Sequence, residues 1–143
     1  MSVELNSLLR TEGETLSFGR HVGSILEPGD WVALTGELGS GKTTLVSGVL
    51  ASLHPGARVR SPTYVLVEVY GSNPVVVHAD LFRLRSSGEY ACLGLEDLEN
   101  EVHQPTKILE TTIAYEPFTV CLIHELRVGI TRDLDKADHL IIT

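Results

Sequence analysis

The stretch Gly36-Glu37-Leu38-Gly39-Ser40-Gly41-Lys42-Thr43-Thr44 constrains this chain more than any other. Its spacing is G-x-x-x-x-G-K-[ST]. Glycines at 36, 39 and 41 permit backbone angles that a Cβ would forbid, so successive N–H groups can converge on the oxygens of one anion. Such a loop is entered from a strand and left through a helix whose N-terminus completes the cradle. Trp31-Val32-Ala33-Leu34-Thr35, just before it, is a short apolar run of strand type. Beyond it Leu45, Val46, Val49, Leu50 and Leu53 fall on one helical face, and His54-Pro55-Gly56 stops the helix. The match thus lies between a strand and a helix, as a phosphate loop requires. Residues 36–44 are read as nucleotide contacts, with Lys42 reaching the β- and γ-phosphates and the Thr43 hydroxyl ligating Mg²⁺. The fold expected is a single α/β domain over residues 1–143: a P-loop NTPase whose mixed central sheet is flanked by helices. The sheet should be partly parallel around the loop and antiparallel at a hairpin over 65–80.

Composition removes several function classes. At 143 residues, 43% apolar and 21% charged, the chain can bury a proper core and carries no disorder signal. The start, Met1-Ser2-Val3-Glu4, has no basic n-region, and no apolar run approaches a membrane span, so a cytoplasmic protein with no membrane association is expected. Cys92 and Cys121 stand far apart without C-x-x-C spacing, and the six histidines form no ligand set. Both cysteines read as core residues. A net charge of −8 disfavours broad contact with phosphate backbones, so nucleic acid, if involved, is held by a partner.

Upstream of the loop, Thr11-Glu12-Gly13-Glu14 is a capping box that opens a helix with Phe18, Val22 and Ile25 on its apolar face. Glu27-Pro28-Gly29-Asp30 then turns the chain into the strand before the loop. This helix could wall a base pocket; on composition alone Thr15 within it is a surface threonine. Downstream, Arg58-Val59-Arg60-Ser61-Pro62-Thr63-Tyr64 is either a plain strand connection or a hydroxyl-bearing switch able to reach a γ-phosphate and its metal. Val65, Val67 and Val69 alternate with polar or larger residues, Gly71-Ser72-Asn73-Pro74 turns, and Val75-Val76-Val77-His78-Ala79-Asp80 runs apolar to an acid. Asp80 is placed either to bind Mg²⁺ or to cap a helix. His78 shares its strand face and reads as a hydrogen-bonded core or edge histidine. Ser86-Ser87-Gly88-Glu89 offers a second capping box for a short helix broken near Gly94, followed by a solvated acidic face. Residues 103–117 yield no functional reading. Phe118-Thr119-Val120-Cys121-Leu122-Ile123 is strand-like and ends at His124-Glu125, which makes Glu125 a second candidate for ordering Mg²⁺ or the attacking water. A last strand lies within 138–143.

Taken together, four blocks resemble the TsaE family, the P-loop ATPases of bacterial tRNA threonylcarbamoyladenosine synthesis. They are the phosphate loop through Leu45 with Gly48, Ser61-Pro62-Thr63-Tyr64 with Leu66-Val67-Glu68, His78-Ala79-Asp80-Leu81-Phe82-Arg83-Leu84, and Glu89 with Leu93-Gly94 and the acidic residues behind it. The loop is generic, whereas the second and third blocks at this spacing are specific. With Thr15, in a helix similar to the family's adenine-side element, they span residues 11 to 98. The resemblance implies that residues 61–63 act like a first switch with Thr63 near the metal or γ-phosphate, and that Asp80 and Glu125 flank Mg²⁺. The family usually ends its corresponding strand in Glu-Trp; here Glu125 is followed by Leu126, after a lengthened connection at 103–117.

The resemblance further implies an ATP- and ADP-binding, Mg²⁺-dependent ATPase, slow by itself. It would serve as an accessory to the threonylcarbamoyl transferase subunit and its paralogous partner, meeting tRNA only indirectly and resetting that complex by hydrolysis. The alternative is a small-molecule or nucleotide kinase of P-loop type, for which only Arg83 and Arg85 stand near a candidate metal acid. A guanine-specific switch would need N/T-K-x-D, and Thr106-Lys107-Ile108-Leu109 lacks its aspartate.

Overall fold

The computed structural model describes residues 3–5, 8–36, 39–59, 67–80, 92, 94, 97, 101, 105–111, 127–131 and 139–142. In chain order the elements are β1 (Val3–Leu5), α1 (Glu12–Ile25), β2 (Trp31–Thr35), α2 (Lys42–Leu53), β3 (Val67–Tyr70), β4 (Val76–Asp80), β5 (Thr106–Thr111), β6 (Arg127–Thr131) and β7 (His139–Ile142). The strands form one seven-stranded sheet in the order β1-β7-β6-β2-β5-β4-β3. β2, β5 and β4 run parallel to one another. β3 returns antiparallel beside β4, β6 runs antiparallel to both β2 and β7, and β1 pairs parallel with β7. The expected mixed α/β sheet, parallel around the loop and antiparallel at the hairpin, is therefore observed.

Local chemistry explains where these elements begin. Thr11 caps α1 by accepting from the Glu14 N–H at 3.1 Å, while the Glu14 carboxylate accepts from the Thr11 N–H at 3.3 Å, the reciprocal pair that the sequence predicts. After α1, the Asp30 carboxylate accepts from the Glu27 N–H at 2.7 Å and Asp30 N–H donates to the Glu27 carbonyl at 3.0 Å. That turn is closed on itself, and it feeds directly into β2. Buried nearly throughout, β2 and β4 read as continuous apolar runs rather than alternating ones.

α2 covers one face of the sheet. Leu45, Val46, Val49 and Leu50 pack with Val22 of α1 and with Val32, Leu34, Val76 and Ile108 of the strands, all fully buried. Burial of a leucine or valine side chain contributes about 1.5–3 kcal/mol, so this cluster is the main force seating the helices on the sheet. Phe18 and Val22 of α1 turn inward as expected, but Ile25 is exposed and its place is taken by Gly19 and Gly23. The reason is close approach: a Cβ on Gly19 would stand 2.3 Å from the Leu45 carbonyl oxygen, and one on Gly48 the same distance from that of Leu16. The helices touch backbone to backbone, which an apolar-face count cannot foresee.

Three strands, β1, β5 and β6 (Arg127–Thr131), go beyond the sequence expectations. β1 lies in a segment whose sequence speaks only to targeting signals, and β5 falls within residues 103–117, which yield no functional reading. β5 is nonetheless central, wedged between β2 and β4. Its sequence, Thr-Lys-Ile-Leu-Glu-Thr, hides it, because only the middle pair is apolar. The buried Lys107 ammonium lies 3.9 Å from the Trp31 ring centroid, and separately the Lys107 backbone N–H donates to the Asp30 carbonyl at 2.9 Å. The reading of Cys92 as a core residue also needs correction: the residue is exposed. Cys121, the 118–123 strand and the Ser86–Glu89 capping box lie outside the described residues.

Candidate phosphate-loop site

Gly36 leaves the end of β2, and the loop closes through Gly39 and Gly41, whose φ values of 80° and 100° lie in the left-handed region that glycine favours. Gly41 is the N-cap of α2 and offers no side chain to the first-turn N–H groups, nor does that turn contain an acidic residue. A helix N-terminus left without a side-chain cap or a carboxylate is suited to an external anion. Ser40 adds a more specific sign: its Oγ is buried and has no hydrogen-bond partner. A buried hydroxyl in that condition costs about 1–3 kcal/mol, which an oxygen ligand seated in the loop could offset. The loop therefore fits a phosphate group. Lys42 is 8% exposed, and its Nζ donates to the Gly36 carbonyl at 2.7 Å, bridging the helix start to the strand end. Thr43 and Thr44 follow it half-buried in the first turn of α2.

Thr15 belongs to this neighbourhood. Its Oγ1 donates to the Thr11 carbonyl at 3.2 Å, and its Cγ2 lies 3.8 Å from the point a Cβ on Gly41 would occupy. The first turn of α1 is thus held against the last glycine of the loop, and Thr15 is half-buried there rather than a free surface residue.

The parallel strands bring the acids to the same edge. Asp80 ends β4 and Thr35 ends β2; between them, register places Leu34, Glu110 and Asp80 in one row across β2, β5 and β4, with Thr35 beside Thr111 in the next. At the usual strand spacing this row puts Asp80 about 10 Å from Leu34. Open parallel sheets bind ligands beyond the carboxyl ends of their strands, which is where the loop and this row lie. Glu110, which register puts beside Asp80, is an acid that the sequence analysis does not single out. The signal that could have found it is Ile108-Leu109-Glu110, an apolar pair ending on an acid, as Val77-His78-Ala79-Asp80 does. Glu37, Leu38, Thr63 and Glu125 lie outside the described residues. Among the described residues no group of three or more His, Cys, Asp or Glu could hold a metal ion. The donor set fits Mg²⁺ held mainly by nucleotide phosphates and water, with one or two carboxylates and a hydroxyl from the protein.

Comparison with known proteins places this geometry in a lineage. The family described as "Threonylcarbamoyl adenosine biosynthesis protein TsaE" matches residues 9–133. A tRNA threonylcarbamoyladenosine biosynthesis protein TsaE from Streptomyces coelicolor is 42% identical over 132 residues, covering 87% of this chain and 86% of the relative. The protein of the same name from Haemophilus influenzae is 37% identical over 102 residues, a match covering 67% of this chain. The chain spans 65% of that relative, just under two thirds of its length. Among solved structures, the crystal structure of Bacillus subtilus YdiB superposes with a TM-score of 0.56 at 25% identity, covering 71% of this chain and 60% of that one. A phosphate-loop pattern at the helix end of a mixed α/β sheet, together with a family match over most of the sequence, identifies the chain as a member of the TsaE family.

Proposed function

We propose that this chain binds ATP and ADP at the 36–44 loop, hydrolyses ATP with Mg²⁺, and serves in the cytoplasm as an accessory subunit of tRNA threonylcarbamoyladenosine formation. The supporting observation is the conjunction at one sheet edge of an uncapped helix N-terminus, an orphaned Ser40 hydroxyl, the Lys42 ammonium and the row ending at Asp80. In this reading the loop N–H groups and the α2 N-terminus hold the β-phosphate. Lys42 leaves the Gly36 carbonyl to face the β- and γ-phosphates, where its fixed charge stabilises the transferring group. When bound, Mg²⁺ neutralises charge developing on the phosphate oxygens; Thr43 and Asp80 would hold it. Glu110, beside Asp80, or Glu125 orients the attacking water, Thr63 senses the γ-phosphate, and Thr15 lines the base side.

The partners in this reading are the threonylcarbamoyl transferase subunit and its paralogue, which hold tRNA. A partner that binds the ATP-ordered form of residues 61–64 more tightly than the ADP form is released or reset by hydrolysis. Coupling of about 1–3 kcal/mol suffices, equivalent to roughly 5- to 150-fold in affinity. The test is titration of both partners with a non-hydrolysable ATP analogue, with ADP and without nucleotide, alongside turnover by the wild type and Lys42→Ala. Nucleotide-dependent affinity and loss of turnover in Lys42→Ala support the reading. Equal affinities in all three states, with phosphoryl transfer to a small acceptor, would establish the kinase instead.

A further inference from the structure

The first turn of α1 restricts what the chain can offer a ligand beside the loop. Thr11 is the N-cap, and its carbonyl accepts twice from one residue: from the Thr15 N–H at 3.1 Å and from the Thr15 hydroxyl at 3.2 Å. A carbonyl oxygen has no hydrogen to give, so the hydrogen of this second bond is the hydroxyl's own. What remains to Thr15 Oγ1 is acceptor capacity alone. Toward its surroundings the half-buried side chain therefore presents a methyl group and a hydrogen-bond acceptor.

That acceptor stands at the lip of the cradle. Of the described residues beyond its chain neighbours, only Thr15 reaches within 4 Å of the point that a Cβ on Gly41 would occupy, with its Cγ2 at 3.8 Å. On the strand side the loop is tied across by the bond from Lys42 Nζ to the Gly36 carbonyl at 2.7 Å. The metal and γ-phosphate belong with Asp80, on the strand two places over from β2. The gap between Gly41 and Thr15 thus falls to the other end of the nucleotide.

The chemistry of the acceptor selects which part of the nucleotide fits there. Phosphate oxygens are negative and accept hydrogen bonds, so an oxygen whose hydrogen is already committed repels them; the loop N–H groups suit them instead. Thr15 Oγ1 is matched to a donor. A nucleoside carries two kinds, the ribose hydroxyls and the amines of the base. The sugar follows directly on the α-phosphate, whereas the base amines lie beyond it, farther from a residue that abuts the last glycine of the loop.

We infer that Thr15 reads the ribose. A 2′- or 3′-hydroxyl donates to Oγ1 while Cγ2 packs against the sugar, so the site favours ribonucleotides over analogues that lack these hydroxyls. This rests on the nucleotide reading above and deepens it by naming the part of the ligand that α1 recognises.

The experiment is calorimetric titration of wild type, Thr15→Val and Thr15→Ser with ADP, UDP, 2′,3′-dideoxy-ADP and pyrophosphate. Valine keeps the branch and the methyl group and removes only the hydroxyl; serine keeps the hydroxyl. Wild type should bind ADP roughly 2- to 12-fold more tightly than dideoxy-ADP, the worth of one hydrogen bond. Thr15→Val should lose that same factor for ADP and for UDP, whose base has no amine, and lose nothing for dideoxy-ADP or pyrophosphate. Thr15→Ser should bind ADP as wild type does.

Equal wild-type affinities for ADP and dideoxy-ADP would overturn the inference, and that comparison needs no variant. So would a Thr15→Val loss as large for pyrophosphate as for ADP, which would mean that Thr15 acts through the shape of the loop. A loss confined to ADP and absent from UDP would give the contact to the base amine and overturn the ribose assignment. Failure of the underlying nucleotide reading is distinct, because wild type would then bind none of the four ligands.

Discussion

Gly48→Ala should loosen the whole nucleotide end of this protein although it adds a single methyl group in the middle of α2. A Cβ at position 48 would meet the Leu16 carbonyl oxygen at 2.3 Å, the Gly19 Cα at 2.9 Å and the Arg20 nitrogen at 3.1 Å. All three are backbone atoms of α1, so no rotamer change relieves the clash and the helices must separate. Overpacking of this kind costs about 1–3 kcal/mol, and with rigid neighbours on every side the upper figure applies. Against it stands the better helix propensity of alanine over glycine, about 1 kcal/mol. The net loss of about 2 kcal/mol corresponds to a fall in Tm of about 4–8 °C for a chain of this size. α1 also carries Thr15 against Gly41, so the rise in Tm on adding ADP with Mg²⁺ should shrink in the variant. Thermal melts of wild type, Gly48→Ala and Gly13→Ala provide the assay. Gly13 is also helical, but a Cβ there meets only the Thr11 Oγ1 at 3.8 Å, so its alanine variant should be neutral or stabilised by up to about 1 kcal/mol. If Gly48→Ala melts at or above wild type, the helices do not meet backbone to backbone and the reasoning fails.

Further substitutions probe separate features of the fold and site. Thr11→Ala removes the acceptor for the Glu14 N–H and should cost about 1 kcal/mol in urea unfolding, with the slope unchanged. Gly71→Ala combines a φ of 69° with a Cβ 2.2 Å from the His54 ring; it should destabilise by about 1–3 kcal/mol, and a neutral result would show that this turn can relax. Glu110→Gln and Glu125→Gln divide the assignment of the water-orienting acid: hydrolysis should fall about 10²-fold or more in the variant of the acting residue while ADP binding persists. Loss in Glu125→Gln alone would give the role to the acid that the sequence favours.

Much of the phosphate-loop neighbourhood is legible in the amino-acid sequence alone, because its determinants are local. Glycines at fixed offsets, an apolar run before them and a helical face after them specify strand, loop and helix through backbone freedom and periodicity within about 25 consecutive residues. The α1 capping box, the hairpin ending in Asp80 and the last strand follow from equally short-range rules, and α1, β3, β4 and β7 all form where those rules put them.

What local sequence cannot decide are matters of pairing. Thr106-Lys107-Ile108-Leu109-Glu110-Thr111 has too little apolar character to announce a central strand. It becomes one because β2 and β4 supply hydrogen bonds on both sides and the Trp31 ring receives the Lys107 ammonium. Glu110 consequently stands beside Asp80, a juxtaposition of residues 30 positions apart that only register creates. The same holds for α1. Its sequence offers Ile25 to the core, but Gly19 and Gly23 allow α2 so close that the contact turns on backbone atoms and leaves Ile25 in solvent. Local sequence set the angles of each element; the energy of burying one element against another chose which residues face each other across the site.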